Sequence, residues 1–123
     1  MDAQFVLPYP PSVNRYWRSV HGRVLISRDG RTYRTNVRTF VLQNRITMIT
    51  DLVAVTIVAN PPDRRRRDLD NILKATLDAM QHGGILEDDV QVKELHLSWG
   101  EVVRGGSLEV KIETLEMESA TNG

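Results

Sequence analysis

All five prolines of this 123-residue chain fall in two clusters, Pro8, Pro10 and Pro11 in PYPPS and Pro61-Pro62 in NPPD. Proline cannot donate to a strand ladder and blocks a helix interior, so each cluster ends whatever element precedes it. Gly83-Gly84 supplies a third break, a left-handed stop suited to the end of a helix. No single element runs through these points, and the chain has to be built from short pieces. Gln4 to Leu7 reads as a short strand stopped by PYPPS. Leu52 to Ala59, apolar and β-branched, reads as a buried strand closed by NPPD.

The remaining pieces follow from periodicity. Tyr33, Val37, Phe40, Val41, the polar Asn44, and Met48 recur at spacings of three and four, predicting an amphipathic helix from Thr32 to about Thr47 with Met48 in its apolar stripe. A second helix is expected from about Asp68 to Gln81, its stripe made of Leu69, Ile72, Leu73, Leu77 and Met80. Val90 to Trp99 and Leu108 to Leu115 alternate as strands, with Leu95, Leu97 and Trp99 on one face of the first and Leu108, Val110 and Ile112 on one face of the second. Between the first strand and the first helix, NRYWRSVHGRVLISRDG reads as an arginine- and aromatic-bearing loop. The pattern predicts a single small α/β (α+β) domain over residues 1–115, with a mixed, mostly antiparallel sheet, two main helices and a flexible tail over 116–123.

Composition narrows the function. The chain has no cysteine, which excludes disulfides and thiolate metal sites and agrees with a reducing setting. Nothing resembles a signal peptide or approaches a membrane span, so a soluble cytoplasmic protein with no membrane partner is expected. The formal net charge is zero, but it is segregated. Residues 1–50 hold eight arginines against Asp2 and Asp29, whereas residues 76–123 hold ten acids against Lys93, Arg104 and Lys111. Thirteen of the sixteen cationic residues are arginine, whose planar fork grips phosphate oxygens in pairs. Such a chain suits one anion-binding side.

RRRRDLDN, residues 64–71, sets the densest positive charge against two aspartates. A salt-bridged turn is one reading; a meeting place for a polyanion and a cation is the other. Asp68 falls where an N-cap would accept from the first-turn N–H groups. Asp70 and Lys74 share one helix face, which Asp78 continues, with the leucines pointing away; an Asp70–Lys74 surface salt bridge is the plain account of that pair. On a helix Asp68 and Asp70 would diverge by about 200°. They converge only if Asp68 lies in the chain entering the helix. ILEDDVQV adds Glu87, Asp88 and Asp89, and by spacing either aspartate can return a third carboxylate to the helix start. Mg²⁺ takes one or two carboxylates and completes its shell with water and phosphate oxygens, and would polarise a phosphodiester there. No glycine-rich phosphate loop precedes a helix, so a nucleotide-binding site is poorly supported.

DRRRRDLDNILKATLDAM followed by GGILEDDVQV, with LPYPPSVNRYWR and ISRDGRTYRTNV before them, resembles the RusA family of Holliday junction resolvases from about Leu7 to Leu115. The resemblance implies a RusA-like fold and a homodimeric, Mg²⁺-dependent endonuclease, with Mn²⁺ as a substitute metal, that nicks four-way junction DNA symmetrically in recombination and repair, in a bacterial or phage-infected cell. It assigns Asp68, Asp70 and Asp89 as metal ligands and catalytic residues with Lys74, and favours Asp89 over its neighbour Asp88. It assigns Arg64, Arg65, Arg66, Arg67, Asn14 and Arg15 to DNA. Tyr16 and Trp17 fit core, dimer-contact or base-stacking roles equally. His21, His82 and His96 stand singly and carry no ligand role. Two alternatives stay open: a metal-dependent nuclease for flaps or other branched nucleic acids, and a non-catalytic junction-binding protein.

Overall fold

A computed structural model describes residues 2–115; the tail expected over 116–123 lies outside them. Four strands form the main sheet: β1 (Ala3–Leu7), β4 (Val53–Asn60), β5 (Val92–Trp99) and β6 (Ser107–Thr114), in the order β1-β6-β4-β5. Only β4 and β5 are parallel, and their crossover carries helix α3 (Asp70–His82). Rows of apolar residues cross the whole sheet on one face: Phe5, Val110, Ile57 and Leu97 are in register, as are Ala3, Ile112, Val55 and Leu95. The central strand β4 is accordingly buried at Val53, Val55, Ile57 and Ala59. Helices α2 (Arg28–Gln43) and α3 close this face, adding Tyr33, Val37 and Val41 from one and Ile72, Ala75, Ala79 and Met80 from the other to a single core. At about 1.5–3 kcal/mol for each large apolar side chain fully buried, this one face supplies most of the drive to fold. The expected α+β domain with a mixed, mostly antiparallel sheet and two main helices is what forms.

Several boundaries differ from expectation. Helix α2 starts four residues earlier than its apolar stripe implies, because Ser27 caps it by accepting from the Gly30 amide at 3.0 Å. It also ends earlier. Arg45 turns left-handed (φ 52°), the Ile46 amide donates to the Val41 carbonyl and the Arg45 amide to Leu42, a complete Schellman closure built without glycine. Met48 therefore leaves the stripe and is 45% exposed, against the core role expected of it, whereas Met80 is fully buried. The expected strand at Val90 begins instead with a 3-10 turn, Asp89–Gln91, before β5 starts at Val92.

The segment expected as a loop is structured. Val13–Tyr16 forms one helical turn, α1, and Trp17–Val20 and Arg23–Ile26 form a hairpin, β2 and β3. His21 and Gly22 close it with φ values of 51° and 75°, the two left-handed positions of a tight turn whose twist matches paired strands. The hairpin packs tightly on α2. A Cβ at Gly30 would stand 2.5 Å from the Tyr16 carbonyl oxygen and 2.7 Å from Ile26, so only glycine lets the helix approach there. Tyr16 is thereby sunk in the core, its ring edge-on to Tyr33 and Trp17.

Candidate active site and arginine groove

Helix α3 buries its small residues and shows its leucines. Ala75, Thr76 and Ala79 allow close packing, with Ile72 and Met80 beside them, while Leu73 and Leu77 are only partly buried. The leucines expected to point into the core line instead an open cleft of about 570 Å³, together with Trp17, Asp70, Lys74, Asp78, Gln81 and Asp89. The cleft follows the helix from Asp70 to Gln81, a rise of about 17 Å. Asp89 joins at the far end. Its 3-10 turn follows Gly83-Gly84 and is tied to the chain entering β4, since Gln91 Nε2 donates to the carbonyls of Ile49 and Asp51 at 2.8 Å each. The acidic turn thus stays at the C-terminal end of α3 and does not return to its start, as the spacing had suggested it could.

The two members of the Asp88-Asp89 pair do different work. Asp88 accepts from the Val90 amide at 2.9 Å and forms a reciprocal capping box with Gln91, whose side chain accepts from the Asp88 amide at 2.8 Å. The Asp89 carboxylate has no hydrogen-bond or ion-pair partner among the described residues and lines the cleft, while its carbonyl accepts from the Val92 amide.

Asp68 is not the helix cap. Leu69 holds that place with helical dihedrals, no side chain caps the end, and Asp68 contributes only its carbonyl, which accepts from the Asn71 amide at 3.2 Å. Its carboxylate is exposed in the chain entering the helix, and it does not line the cleft. Asp70 opens the first turn, exposed and unpaired. The Asp70–Lys74 salt bridge, the alternative account of that pair, does not form among the described residues; the Lys74 ammonium lies over the Trp17 ring, 5.4 Å from its centroid.

The neighbouring arginines engage a different acid. Asp63 accepts from the Arg65 guanidinium at 3.3 and 3.0 Å and pairs with Arg67 at 2.8 Å. Arg67 and then Arg65 hold its carboxyl well below the usual carboxylate range. Arg67 also donates to the carbonyls of Asp63 and Arg65, both at 3.1 Å. Arg64 and Arg66 form no ion pair among the described residues. Arg65, Arg66 and Arg67 line a groove of about 340 Å³ with Arg15, Tyr9, Pro10 and Pro11. Arg15 pairs at 2.8 Å with Asp29 at an exposed site, and Asn14 is exposed on α1. A smaller hollow joins Arg66 and Arg67 to Asn71, so the arginines abut the first turn of α3 beside Asp70.

The network behind the cleft is not legible in local spacing. Asp78 accepts two bonds from Arg34, at 2.8 and 3.0 Å, and one from the Tyr16 hydroxyl, with His82 at 3.5 Å. Burial, then the bond to Asp78, raises the Tyr16 pKa far above that of a free phenol. Desolvation, the largest single influence, lowers the Arg34 pKa, but the bonds and charge of Asp78 together with the interaction with Tyr16 outweigh it and leave it raised. The signal available was Asp78 at i+4 from Lys74, but its partners lie 44 and 62 residues away.

Carboxylates and a lysine thus line a cleft along α3, and arginines line hollows that reach the first turn of the same helix. The family model of endodeoxyribonuclease RusA matches residues 8–113. The chain is 45% identical over 116 residues to a crossover junction endodeoxyribonuclease of Enterobacteria phage HK97, covering 94% of this chain and 97% of that one. It is 44% identical over 108 residues to one from Shigella sonnei (strain Ss046) and 41% identical over 107 residues to one from Escherichia coli (strain K12), each covering 86% of this chain and 89% of the relative. The chain belongs to the RusA family of endodeoxyribonucleases. Among the described residues no helix is long and apolar enough to cross a membrane.

Proposed function

We propose that the protein is a structure-specific endodeoxyribonuclease that resolves four-way DNA junctions by paired symmetric nicks, acting as a two-fold dimer in the cytoplasm of a bacterial or phage-infected cell. The observation that carries the reading is the division of labour around the first turn of α3. The arginines satisfy Asp63 and leave Asp68, Asp70 and Lys74 without an ionic partner among the described residues. In a salt-bridged turn those charges would be spent on one another.

The donor set fits an open site for a hard cation, Mg²⁺ or its substitute Mn²⁺. Asp68 and Asp70 are exposed oxygen donors beside a cleft with room for water and a phosphodiester. Among the described residues no three acids or histidines gather as a closed cage. Asp68 and Asp70 would hold the ion, and Asp89, at the other end of the cleft, joins that set only from a second copy of the chain. When bound, the ion supplies Lewis-acid polarisation and a water of lowered pKa. Lys74 stabilises the negative charge that builds on the phosphoryl oxygens and the leaving oxygen. Arg66 and Arg15 in the groove, with the exposed Arg64 and Asn14, hold the backbone on either side of the scissile phosphate, while Arg65 and Arg67, fixed by Asp63, shape the loop that presents them.

The test compares labelled four-way junction, linear duplex and flap DNA, each with Mg²⁺ or with chelator. Paired nicks confined to the junction and abolished by chelator support the reading. Cleavage of flaps alone, or binding without cleavage, overturns it.

A further inference from the structure

We propose that Trp17 is a positioning residue for Lys74, holding the ammonium beside the scissile phosphate without neutralising it; this rests on the nuclease reading of the cleft. Lys74 has a carboxylate one turn away in each direction, Asp70 and Asp78, at the spacing where ion pairs form on a helix. It uses neither. Asp78 is taken by Arg34 and Tyr16, and the lysine ammonium lies 5.4 Å from the Trp17 ring centroid, within the range of a cation–π contact.

The consequence is chemical. A carboxylate partner would cancel the lysine's charge and compete with phosphate for its N–H groups. A ring face attracts the cation through its quadrupole yet accepts no conventional hydrogen bond, so the ammonium keeps its charge and can turn its three donors to a phosphate. The ring is itself well fixed. Trp17 pairs with Ile26 in the hairpin, Tyr16 meets its ring edge-on at 4.9 Å, and the Arg34 guanidinium, anchored on Asp78, lies 5.8 Å from its centroid. The hairpin thus contributes to the cleft a wall whose function is directed at one side chain of another element.

The experiment compares the parent with Trp17→Leu, which removes the π face but keeps apolar bulk, and Trp17→Phe, which keeps a ring. Each is also made with Lys74→Ala. Junction affinity is measured in Ca²⁺, single-turnover cleavage in Mg²⁺, and the Lys74 side-chain Hε resonances by NMR on metal-free protein. Trp17→Leu should lower the cleavage rate about tenfold with affinity unchanged, Trp17→Phe should recover most of that loss, and Trp17→Leu should cost nothing further once Lys74 is alanine. The parent should show ring-current-shifted Lys74 resonances that relax to ordinary positions in Trp17→Leu. Parental cleavage by Trp17→Leu, an equal loss in the Lys74→Ala background, or unshifted resonances in the parent would each overturn the proposal. If Trp17→Leu does not fold, Trp17→Phe and the parental spectrum decide. A parent that leaves junctions uncut refutes the nuclease reading, and the resonances then still report whether Trp17 holds Lys74.

Discussion

Replacing Asp78 by alanine should be the most damaging single change near the cleft, and its cost can be worked from the bonds it makes. Asp78 and Arg34 are 17% and 23% exposed, so neither can recover full hydration when the other is lost. The substitution removes two bonds from Arg34 and one from the Tyr16 hydroxyl, and leaves a guanidinium mostly enclosed without a counter-charge. Hydrogen bonds to a charged group contribute about 1.5–3 kcal/mol each, and breaking a fully buried pair costs about 3–5 kcal/mol. The remaining solvent access screens part of this, and the three bonds are not additive, so about 2–4 kcal/mol is expected. For a domain of this length that lowers Tm by roughly 10 °C. Urea denaturation followed by circular dichroism measures it, and a double-mutant cycle with Arg34→Met should return most of the cost as coupling. The same variant has a spectroscopic signature. The bond to Asp78 is the second cause of the raised Tyr16 pKa, after burial, so Asp78→Ala should bring tyrosinate absorbance in at lower pH, though still above pH 10. A cost below about 0.5 kcal/mol, with Tyr16 titrating as in the parent, would refute this account of the network.

Asp70→Asn should hold or slightly raise junction affinity in Ca²⁺ while lowering single-turnover cleavage in Mg²⁺ by about three orders of magnitude or more, and cleavage within a few-fold of the parent would place the metal elsewhere. Arg64→Gln with Arg66→Gln should weaken junction binding and reduce the slope of log affinity against log salt by about two, the two phosphate contacts removed; an unchanged slope would assign both arginines to solvent. Because Asp68, Asp70 and Asp89 do not gather into one group within the described residues of a single chain, Asp70→Asn mixed with Asp89→Asn should regain single nicking through heterodimers in which one intact pair forms across the subunits; a mixture as inactive as its parts would refute a shared site. Asp63 has a folded pKa depressed by Arg67 and Arg65, so its pairing stabilises the arginine loop fully above about pH 4 and is lost only as pH falls toward that depressed value. Its carboxyl ¹³C resonance should stay flat down to about pH 3, and an ordinary midpoint near pH 4 would show the pairing to be absent.

The elements that sequence alone located are those whose signals are local. Proline at Pro8 and Pro61 ended β1 and β4, and alternation found Leu108, Val110 and Ile112. The failures share a physical cause: each depends on a partner distant in sequence or on a residue used against its type. Arg45 stops α2 in a left-handed conformation that arginine does not advertise, so the apolar stripe was followed too far. The α3 face was misassigned because leucine outranks alanine in hydrophobicity, although Ala75 and Ala79 are what close packing requires. In the site, Asp70 and Lys74 are legible as chemistry from charge and spacing, whereas spacing leaves Asp88 and Asp89 level and only the family resemblance favours Asp89. The spacing could not say that Asp63 would take the arginines, that Asp88 would be consumed as a cap, or that Trp17 would receive the lysine.

The sheet order also bears on how the chain can be made. Strand β1 is made before the other strands of its sheet, but its neighbour there is β6, and Ala3 waits for Ile112. Strand β4, the most apolar segment, has β5 on one side and β6 on the other, so it too has no partner in the sheet until the later part of the chain exists. The sheet therefore cannot be completed until β6 has been made, although β4 can pair with β5 before it. Helices and hairpin can form early, while Val53 to Asn60 remains an unpaired apolar strand exposed to aggregation. A chain ending before Ser107 would lose two strands, since β1 would have nothing to pair with and β4 would become an open edge. Ribosome-stalled intermediates of this protein should accordingly stay protease-sensitive until β6 has cleared the exit tunnel, and then become resistant in a single step.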